Sequence, residues 1–591
     1  MRFETDGARA RGGIARQLTA GDTVETIHCA GVYRPDSSND RIALVNTSRL
    51  TLFDPYTQTT SRYDFPLNET VTADDDSEII QGGVGSGTTP LLYIGRGFNK
   101  TVLKFDGVNI TVDSAFKRFS AGMFFGDRMG VISSRWEINA SDYLAFDAWS
   151  AFAQFQILKG GDDYLVHIRP YQKDYVLIGA RKKWFIAHFD PVVDATTGAD
   201  AGLVSSSFLR ELTREAGIIG KRACNESNGK IWSVTDRAIV AFQPRLDLEL
   251  TVLGTPISAP IQPIIDRLSA EYANTSGIAH SGHRQYFALP ISNEKVPLTG
   301  ASAVHAGPLH LPFSLPAIIG GGYLVTFTTA APHQLAADDT VKLTGNIDTA
   351  LNVTRTVLST PAENQFVINL ETDSTSVGER ASVQKLATRP NVIAVWNFAL
   401  PRQSQEADAP DGAWESIDIL PAGVYADFLV IADAPDGQRR LWIVDADLGP
   451  CLYEEGNADE IGGSPGALTL PFFLPAHFSV ANFASTPVVG RLKSRTLQWG
   501  GMARHVKAGS GRFDLGASDA GALTLTVRTP GRAEWISSKA FNGLTQSDKP
   551  VRRRCGRRGI EAELEVVTSG GRPAVRQLLV EIVNSGRDKE D

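Results

Sequence analysis

Hydrophobic positions in this chain gather into short runs broken by polar turns, and the runs follow one another too closely for a helical protein. Between Gly161 and Leu268, the runs Tyr164–Ile168, Tyr175–Ile178 and Trp184–Phe189 are a few residues apart, and Lys230–Phe242 repeats the pattern around a turn at Thr235-Asp236-Arg237. Short strands at this spacing predict an all-β meander. The rhythm starts earlier, at Arg41–Phe53, Leu91–Ile94, Thr101–Phe105 and Arg128–Ser133, and returns at Arg284–Pro290, Val392–Phe398 and Phe428–Asp445. Such spacing is that of propeller blades, although no residue-level repeat of the WD type accompanies it and the number of blades is not set by the pattern. Two segments break the rhythm and predict short helices. Ile261–Tyr272 sets Ile261, Ile264, Ile265 and Leu268 on one helical face, and Ser207–Ala216 ends at Gly217, a residue suited to a left-handed cap.

From about Gly300 the texture changes. A loop rich in Pro and His, HAGPLHLPFSLPAIIGGG, precedes alternating segments at Tyr323–Thr328, Thr340–Leu343, Asn352–Val357 and Gln365–Leu370. These predict a four- or five-stranded barrel of roughly 70 residues. The blade rhythm resumes after Pro390 with NVIAVWNF. An insertion that leaves and returns at a hairpin tip costs little, because its ends are already close. Beyond the loop Leu470–Ala476, the segments Thr486–Trp499, Ala522–Val527, Ile560–Val567 and Arg576–Val583 read as strands of a sandwich. The expected fold is therefore all-β: a β-propeller over residues 1–298 and 390–470, an inserted small β-barrel over 299–389, and a C-terminal β-sandwich domain over 471–591. The polar tail Asn584–Asp591 is expected to fray.

Composition agrees with that picture. Across 591 residues, 55 Gly and 30 Pro stand against only 4 Met, which favours strands and turns over helical bundles. Cys29, Cys224, Cys451 and Cys555 are widely spaced, without a CxxC or Cys-His pattern, so reduced and mostly buried thiols are expected rather than zinc or disulfides. The N-terminal stretch has no apolar signal core, and no run approaches the roughly 20 apolar residues of a membrane span. Synthesis in a cytoplasm is expected. Asn-x-Ser/Thr triplets such as Asn68-Glu69-Thr70 and Asn109-Ile110-Thr111 then carry no weight. The net charge of −8 argues against a protein that grips nucleic acid over a large surface.

Candidate chemistry is sparse. Gly82–Gly87 (GGVGSG) lacks the following Lys-Ser/Thr of a phosphate loop and leads into a strand. Asp74-Asp75-Asp76 with Glu78 lacks the ligand spacing of a calcium loop and reads as a solvated acidic loop. His280 and His283 near Glu271 have turn-like spacing rather than that of paired metal ligands. No GxSxG, HExxH or nucleophile motif appears, so no catalytic, metal-binding or cofactor-binding residue is assigned. Carboxylate pairs of the glycosidase kind leave no trace in spacing, which keeps a depolymerase as the enzymatic alternative. Trp136, Trp149, Trp184, Trp232, Trp396, Trp414 and Trp442 recur through the blade region and are expected to pack between blades rather than form a sugar platform. One basic cluster is dense: Arg552, Arg553, Arg554, Arg557 and Arg558. In a strand, Arg552, Arg554 and Arg558 would share one face, with Arg553 and Arg557 on the other. With no interleaved aromatics, this is read as a subunit interface ahead of a DNA contact.

Several phrases also resemble one family. Asp162-Asp163, IGARKKWFIAHF with Arg181 and Trp184, Gly217–Arg222, NGKIW at Asn228–Trp232, and Pro256-Ile257-Ser258 with Ile261 and Ile264 are similar to the β-propeller of the tail nozzle, or DNA-stabilisation, proteins of short-tailed bacteriophages. The likeness covers most of the chain, and none of its markers is catalytic. It implies a structural virion protein forming a ring, usually of six copies, below the portal and adaptor proteins. Tail fibres or spikes would dock around that ring, and double-stranded DNA would leave through its lumen without sequence specificity. A mildly acidic wall suits such a conduit, since each phosphate contact would add friction. A closed ring needs heterologous interfaces, for which the barrel and the Arg552–Arg558 segment are candidates. The long loop before the barrel and the basic arm with Arg2, Arg9, Arg11 and Arg16 depart from the family. They leave open a hub or distal-tail component of a long-tailed phage, beside the glycan-binding or depolymerising alternative.

Overall fold

The structure is a computed structural model. It describes residues 2–4, 7–9, 14–16, 25–35, 40–84, 90–125, 128–142, 145–149, 154–158, 160–172, 175–188, 208–214, 216–244, 256–305, 323–400, 410–421, 423–434, 437–453, 458–459, 486–487, 491–493, 497–498, 504–514, 520–528, 534–542, 551–559, 561–570 and 574–583. The chain is all-β, with only short helical turns among these residues. Loop Leu470–Ala476, Arg11 and the tail Asn584–Asp591 lie outside them, as does the second half of GGVGSG, whose first half ends the strand Ser77–Val84.

Seven antiparallel sheets follow one another along the chain. Their first strands are Ile27–Tyr33, Ser77–Val84, Ala121–Phe125, Leu165–Tyr171, Cys224–Ser227, Gly277–Ser281 and Phe428–Asp433. Second strands such as Arg41–Asn46 and Arg439–Asp445 are buried over almost their whole length. Both of their faces are covered by neighbouring sheets, which is why they read as continuous apolar runs rather than alternating ones. The fourth strand of the first sheet, Thr59–Asp64, is mostly exposed and polar, as suits a sheet edge.

The sheets close into a cycle. Hydrophobic clusters join the second sheet to the third, the third to the fourth, the fourth to the fifth and sixth, and the sixth to the seventh. A further cluster joins the seventh sheet to the first and second, with the Trp442 and Phe53 rings 5.5 Å apart. The first strands touch their counterparts around the same circuit, those of the fourth and fifth sheets through Arg169 and Asn225, and Phe428–Asp433 of the last sheet meets Ile27–Tyr33 of the first. The seventh sheet is completed from the other end of the chain: Ile14–Arg16 pairs antiparallel with Gly449–Tyr453, setting Ile14 opposite Tyr453.

Between the second and third strands of the sixth sheet, Arg284–Leu289 and Val392–Asn397, the chain departs into a closed six-stranded barrel. Its cyclic order is Val296–His305, Tyr323–Thr329, Gln365–Leu370, Thr354–Ala362, Thr340–Thr344 and Ser382–Lys385. Leu289 and Val392 are direct partners, so the insertion sits at a hairpin tip. The barrel has two strands more than the four alternating segments of the sequence. Val296–His305 and Ser382–Lys385 pair with each other to close it. Phe327 and Phe366, stacked 5.4 Å apart, fill its core.

The C-terminal residues build two sheets that face each other across Val506, Leu523, Leu525, Phe541, Val551, Leu564 and Val566. One is ordered Arg2–Glu4, Gly7–Arg9, Ala574–Val583, Arg504–Asp514, Val551–Gly559; the other is Arg491–Lys493, Glu561–Gly570, Ala520–Arg528, Trp535–Asn542. The N-terminal arm thus contributes to both the C-terminal unit and the seventh sheet of the cycle.

Two helix expectations are corrected. Phe208–Thr213 is a strand, the edge of the fourth sheet, paired with Trp184–His188. Leu212 and Thr213 are buried there, so pairing and packing outweigh the helical preference of Leu, Arg and Glu. In Ile261–Tyr272 the α-helix covers only Gln262–Ile265, preceded by a 3-10 turn over Ala259–Ile261. Leu268 instead bridges to Ile291, which takes the chain out of the helix.

Candidate functional site: the ring axis and an arginine-rich edge

Within each sheet the strands alternate in direction, and the first strands all line the axis of the cycle. The segments that lead into first strands therefore emerge at one mouth, together with the turns between second and third strands. The barrel leaves from that mouth. Residues Ala216–Ala223, between the fourth and fifth sheets, cross it.

Lys221 is the centre of this crossing. Its Nζ donates to the carbonyls of Ser77 at 2.5 Å and Ser120 at 3.2 Å, and pairs with Asp76 at 2.7 Å and Glu78 at 3.5 Å. It is thereby held by the second and third sheets. Its own carbonyl accepts a 2.5 Å bond from Nδ1 of His167, on the fourth sheet. Burial pushes the His167 imidazole down to about 3, so the ring is neutral and its one N–H is committed to that carbonyl. Arg222 turns the other way. It donates to the Asp427 carbonyl at 2.9 Å and lies 4.0 Å over the Phe428 ring of the seventh sheet, while its carbonyl accepts from Ile278 of the sixth.

Glycines allow the crossing to run so close. A Cβ on Gly217 would come within 2.3 Å of the Arg181 backbone, and one on Gly220 within 2.2 Å of the Asn274 carbonyl oxygen. Arg181 donates to the Ile219 carbonyl, and Asp163 accepts the backbone N–H of Tyr164 and of Lys182. Asp162-Asp163, Arg181 and Gly217–Arg222, which scatter along the sequence, thus meet at one mouth. The cluster is a lock between sheets: every donor named here already has a carbonyl or carboxylate, leaving Nε2 of His167 as a buried group without a partner.

A second ionic knot lies at the same mouth. Arg389, on the return from the barrel, pairs with Asp427, with Asp445 at 3.0 Å and with Asp447 at 2.6 Å, and its guanidinium lies 4.3 Å over the Tyr425 ring. Burial raises the Asp445 carboxyl against the pull of Arg389. Glu271 ties down the barrel itself, through Lys342 at 3.2 Å and the Thr354 hydroxyl at 3.0 Å.

Residues weighed in the sequence have structural places. Asp75 is no solvated group: Lys100 reaches it at 2.6 Å and Thr72 donates to it. The expectation of a solvated acidic loop is corrected for Asp75 and for Glu78, because lysines from other turns, Lys100 and Lys221, are drawn onto them. Glu271 is occupied with the barrel, and His280 packs edge-on to Phe398, so Glu271, His280 and His283 do not converge. Among the described residues, no group of three or more His, Cys, Asp or Glu is placed to hold a metal ion. Cys29, Cys224 and Cys451 are buried and Cys555 half-buried, all reduced; burial pushes the Cys29 thiol up to about 12 and that of Cys224 to about 11. Trp184, Trp232 and Trp442 are fully buried between sheets, whereas Trp136 is 39 % exposed and departs from the packing expected of it.

Val551–Gly559 carries the arginine cluster and is the terminal strand of its sheet. Arg552 and Arg554, opposite Ser510 and Ala508, are exposed. Arg553 faces the other way, donating to the Ser537 hydroxyl at 2.6 Å across the gap between the two sheets. Arg557 and Arg558 continue the strand opposite Val506 and His505, beyond a bulge at Cys555-Gly556 of their own strand. Lys221 and Arg222 entered the sequence reading only within the marker Gly217–Arg222, with no role given to them, and Arg389 was missed.

Comparison with known proteins adds little. No family model matches the chain, and no curated protein matches it. Solved structures resemble it at low identity. One is described as the extracellular domain of a one-component system from B. thetaiotaomicron, with 11 % identity, a TM-score of 0.24, and 73 % of this chain covered; the chain spans 64 % of that domain. An exo-β-1,3-galactanase from Phanerochaete chrysosporium has 8 % identity and a TM-score of 0.22, with 97 % of this chain and 100 % of that chain covered. A glycoside hydrolase has 7 % identity and a TM-score of 0.21, with 94 % and 98 % covered.

Proposed function

We propose that the seven sheets are the blades of a β-propeller and that the protein is a structural component of a bacteriophage tail. In this reading, copies assemble head-to-tail into a nozzle ring below the portal and adaptor, retain packaged DNA, conduct it during ejection, and carry tail fibres or spikes. The observation that supports it best is the arrangement of modules. The barrel leaves one mouth of the cycle at a hairpin tip, while the connections to the C-terminal unit, before Ile14 and after Tyr453, leave the opposite mouth. A subunit with two different modules on opposite faces has the two unlike surfaces that a heterologous ring requires. The lock at Lys221 crosses the axis of each subunit, so in this reading DNA passes between copies and never through one propeller.

Light scattering and negative-stain imaging test this reading, with the protein alone and mixed with virion-derived portal–adaptor complex. Six-fold rings, or six-fold addition to the adaptor, are expected. A persistent monomer or trimer that ignores the adaptor overturns the proposal. A second reading, host-surface glycan binding, is favoured by one observation: Trp136 and Tyr164 are 39 % and 40 % exposed on neighbouring turns, with Arg135 lying 5.8 Å from the Tyr164 ring. Loss of glycan retention in a Trp136→Ala, Tyr164→Ala double variant would support it.

A further inference from the structure

Charge is unevenly divided along the chain. Residues 486–591 hold 19 Lys and Arg against 11 Asp and Glu, leaving 39 and 55 of the chain's 58 and 66 for residues 1–485. A basic C-terminal unit is therefore joined to a strongly acidic body. Five of its arginines lie in one strand, and that strand ends its sheet, with one row of main-chain N–H and C=O groups turned away from the neighbour it pairs with.

We propose that the Val551–Gly559 edge is the surface by which one copy of this chain grips the acidic body of a second copy. This rests on the ring reading above and names the contact that would hold the ring. Three observations favour a second copy over DNA. The chain itself supplies the opposite charge in excess, so complementarity is built into any head-to-tail encounter. Arg552 and Arg554 point from one face of the strand and Arg553 from the other, whereas a phosphate track calls for cations on a single face. Among the described residues no strand pairs with the outer edge of Val551–Gly559, and such an edge offers main-chain hydrogen bonds that another polypeptide can complete.

The test uses the full chain and two double variants, R552E/R554E and R552K/R554K, in sedimentation velocity at about 0.05 M and about 0.5 M salt, where screening lengths differ several-fold. Wild type is expected to self-associate at low salt and to weaken at high salt. R552E/R554E is expected to lower the association constant roughly tenfold or more, and R552K/R554K to keep most of it. Unchanged thermal unfolding in both variants will show that the fold is intact. Equal assembly of R552E/R554E and wild type overturns the proposal, as does a wild type that stays monomeric throughout. So does a charge-reversed variant that still self-associates but loses binding to a short random DNA duplex, which would reassign the strand to nucleic acid. Failure of the tail reading is separable. Arginine-dependent self-association without docking onto portal–adaptor keeps this interface and removes that function; docking by wild type and R552E/R554E alike does the reverse.

Discussion

Three arginines of the seven-sheet cycle, Arg96, Arg284 and Arg389, turn inward, whereas Arg552 and Arg554 of the C-terminal end strand are exposed. In the cycle, Arg96 is 2 % exposed and pairs with Glu69 at 2.6 Å, while its other nitrogens donate to the Thr101 carbonyl. Arg284 meets Glu415 through two bonds of 2.8 and 2.9 Å, and Asn397 donates to the same carboxylate. Arg389 is wrapped by three aspartates. In each case the guanidinium fork joins segments far apart in sequence, and its cation is neutralised inside one subunit. Arg552 and Arg554 instead lie exposed on the end strand of their sheet, opposite Ser510 and Ala508. The same side chain serves as an internal clamp in one region and stands exposed at a sheet edge in the other. Two regions of one chain should therefore respond very differently to loss of a charge.

The sharpest break of this contrast is Glu415→Ala. Glu415 is 1 % exposed, and its removal leaves Arg284 without its bidentate partner and Asn397 without its acceptor. Deleting one member of a buried pair costs about 3–5 kcal/mol, because the remaining charge stays desolvated. Denaturant unfolding should show that loss, with Glu415→Gln falling between the variant and wild type. A loss below about 1 kcal/mol would mean that the clamp is solvated and the contrast overstated.

Lys221→Met sharpens the contrast at the axis through pH. Burial raises the Glu78 carboxyl above its ordinary value of 4.5, while Lys221 acts to lower it. Without the lysine, the folded state holds its Glu78 proton to still higher pH. The folded variant then binds more protons than its unfolded chain, so its stability falls as pH rises through the folded pKa. Near pH 4 most of the unfolded-state glutamate is protonated too, and little of this penalty is present. The difference between Lys221→Met and wild type in unfolding free energy should therefore be smallest near pH 4 and grow toward pH 7. A difference that does not change with pH would show that Lys221 acts through its carbonyl bonds to Ser77 and Ser120 alone.

The strand rhythm was legible because strands covered on both faces become uninterrupted apolar runs, as at Arg41–Asn46. Phe208–Thr213 misled because its Leu, Arg and Glu are good helix formers, and the decision lay with a partner strand some twenty residues upstream. The axial lock was not legible at all. Lys221 and Asp76 are 145 positions apart, and their meeting depends on the closure of a cycle of seven sheets. Gly217 was read as a helix cap, whereas the structure uses it and Gly220 for a close backbone approach. The density of arginine at 552–558 was visible in the sequence, but the place of that strand at the end of its sheet was not. Edge position is set by the pairing of Arg504–Asp514 with both Val551–Gly559 and Ala574–Val583.

The smallest expected effect completes the comparison. Arg552→Ala and Arg554→Ala remove exposed cations from a strand whose hold on the fold comes from Val551 beneath it and the ladder to Arg504–Asp514. Surface substitutions of this kind change unfolding free energy by no more than about 0.5 kcal/mol. Such a result, beside a loss several times larger for Glu415→Ala, would establish that these arginines are not retained for the stability of the subunit. Their effect would then be sought in association, where the salt dependence of the single variants should fall below that of wild type. A stability loss above about 1.5 kcal/mol would instead place Arg552 or Arg554 among the internal clamps and erase the distinction between the two regions.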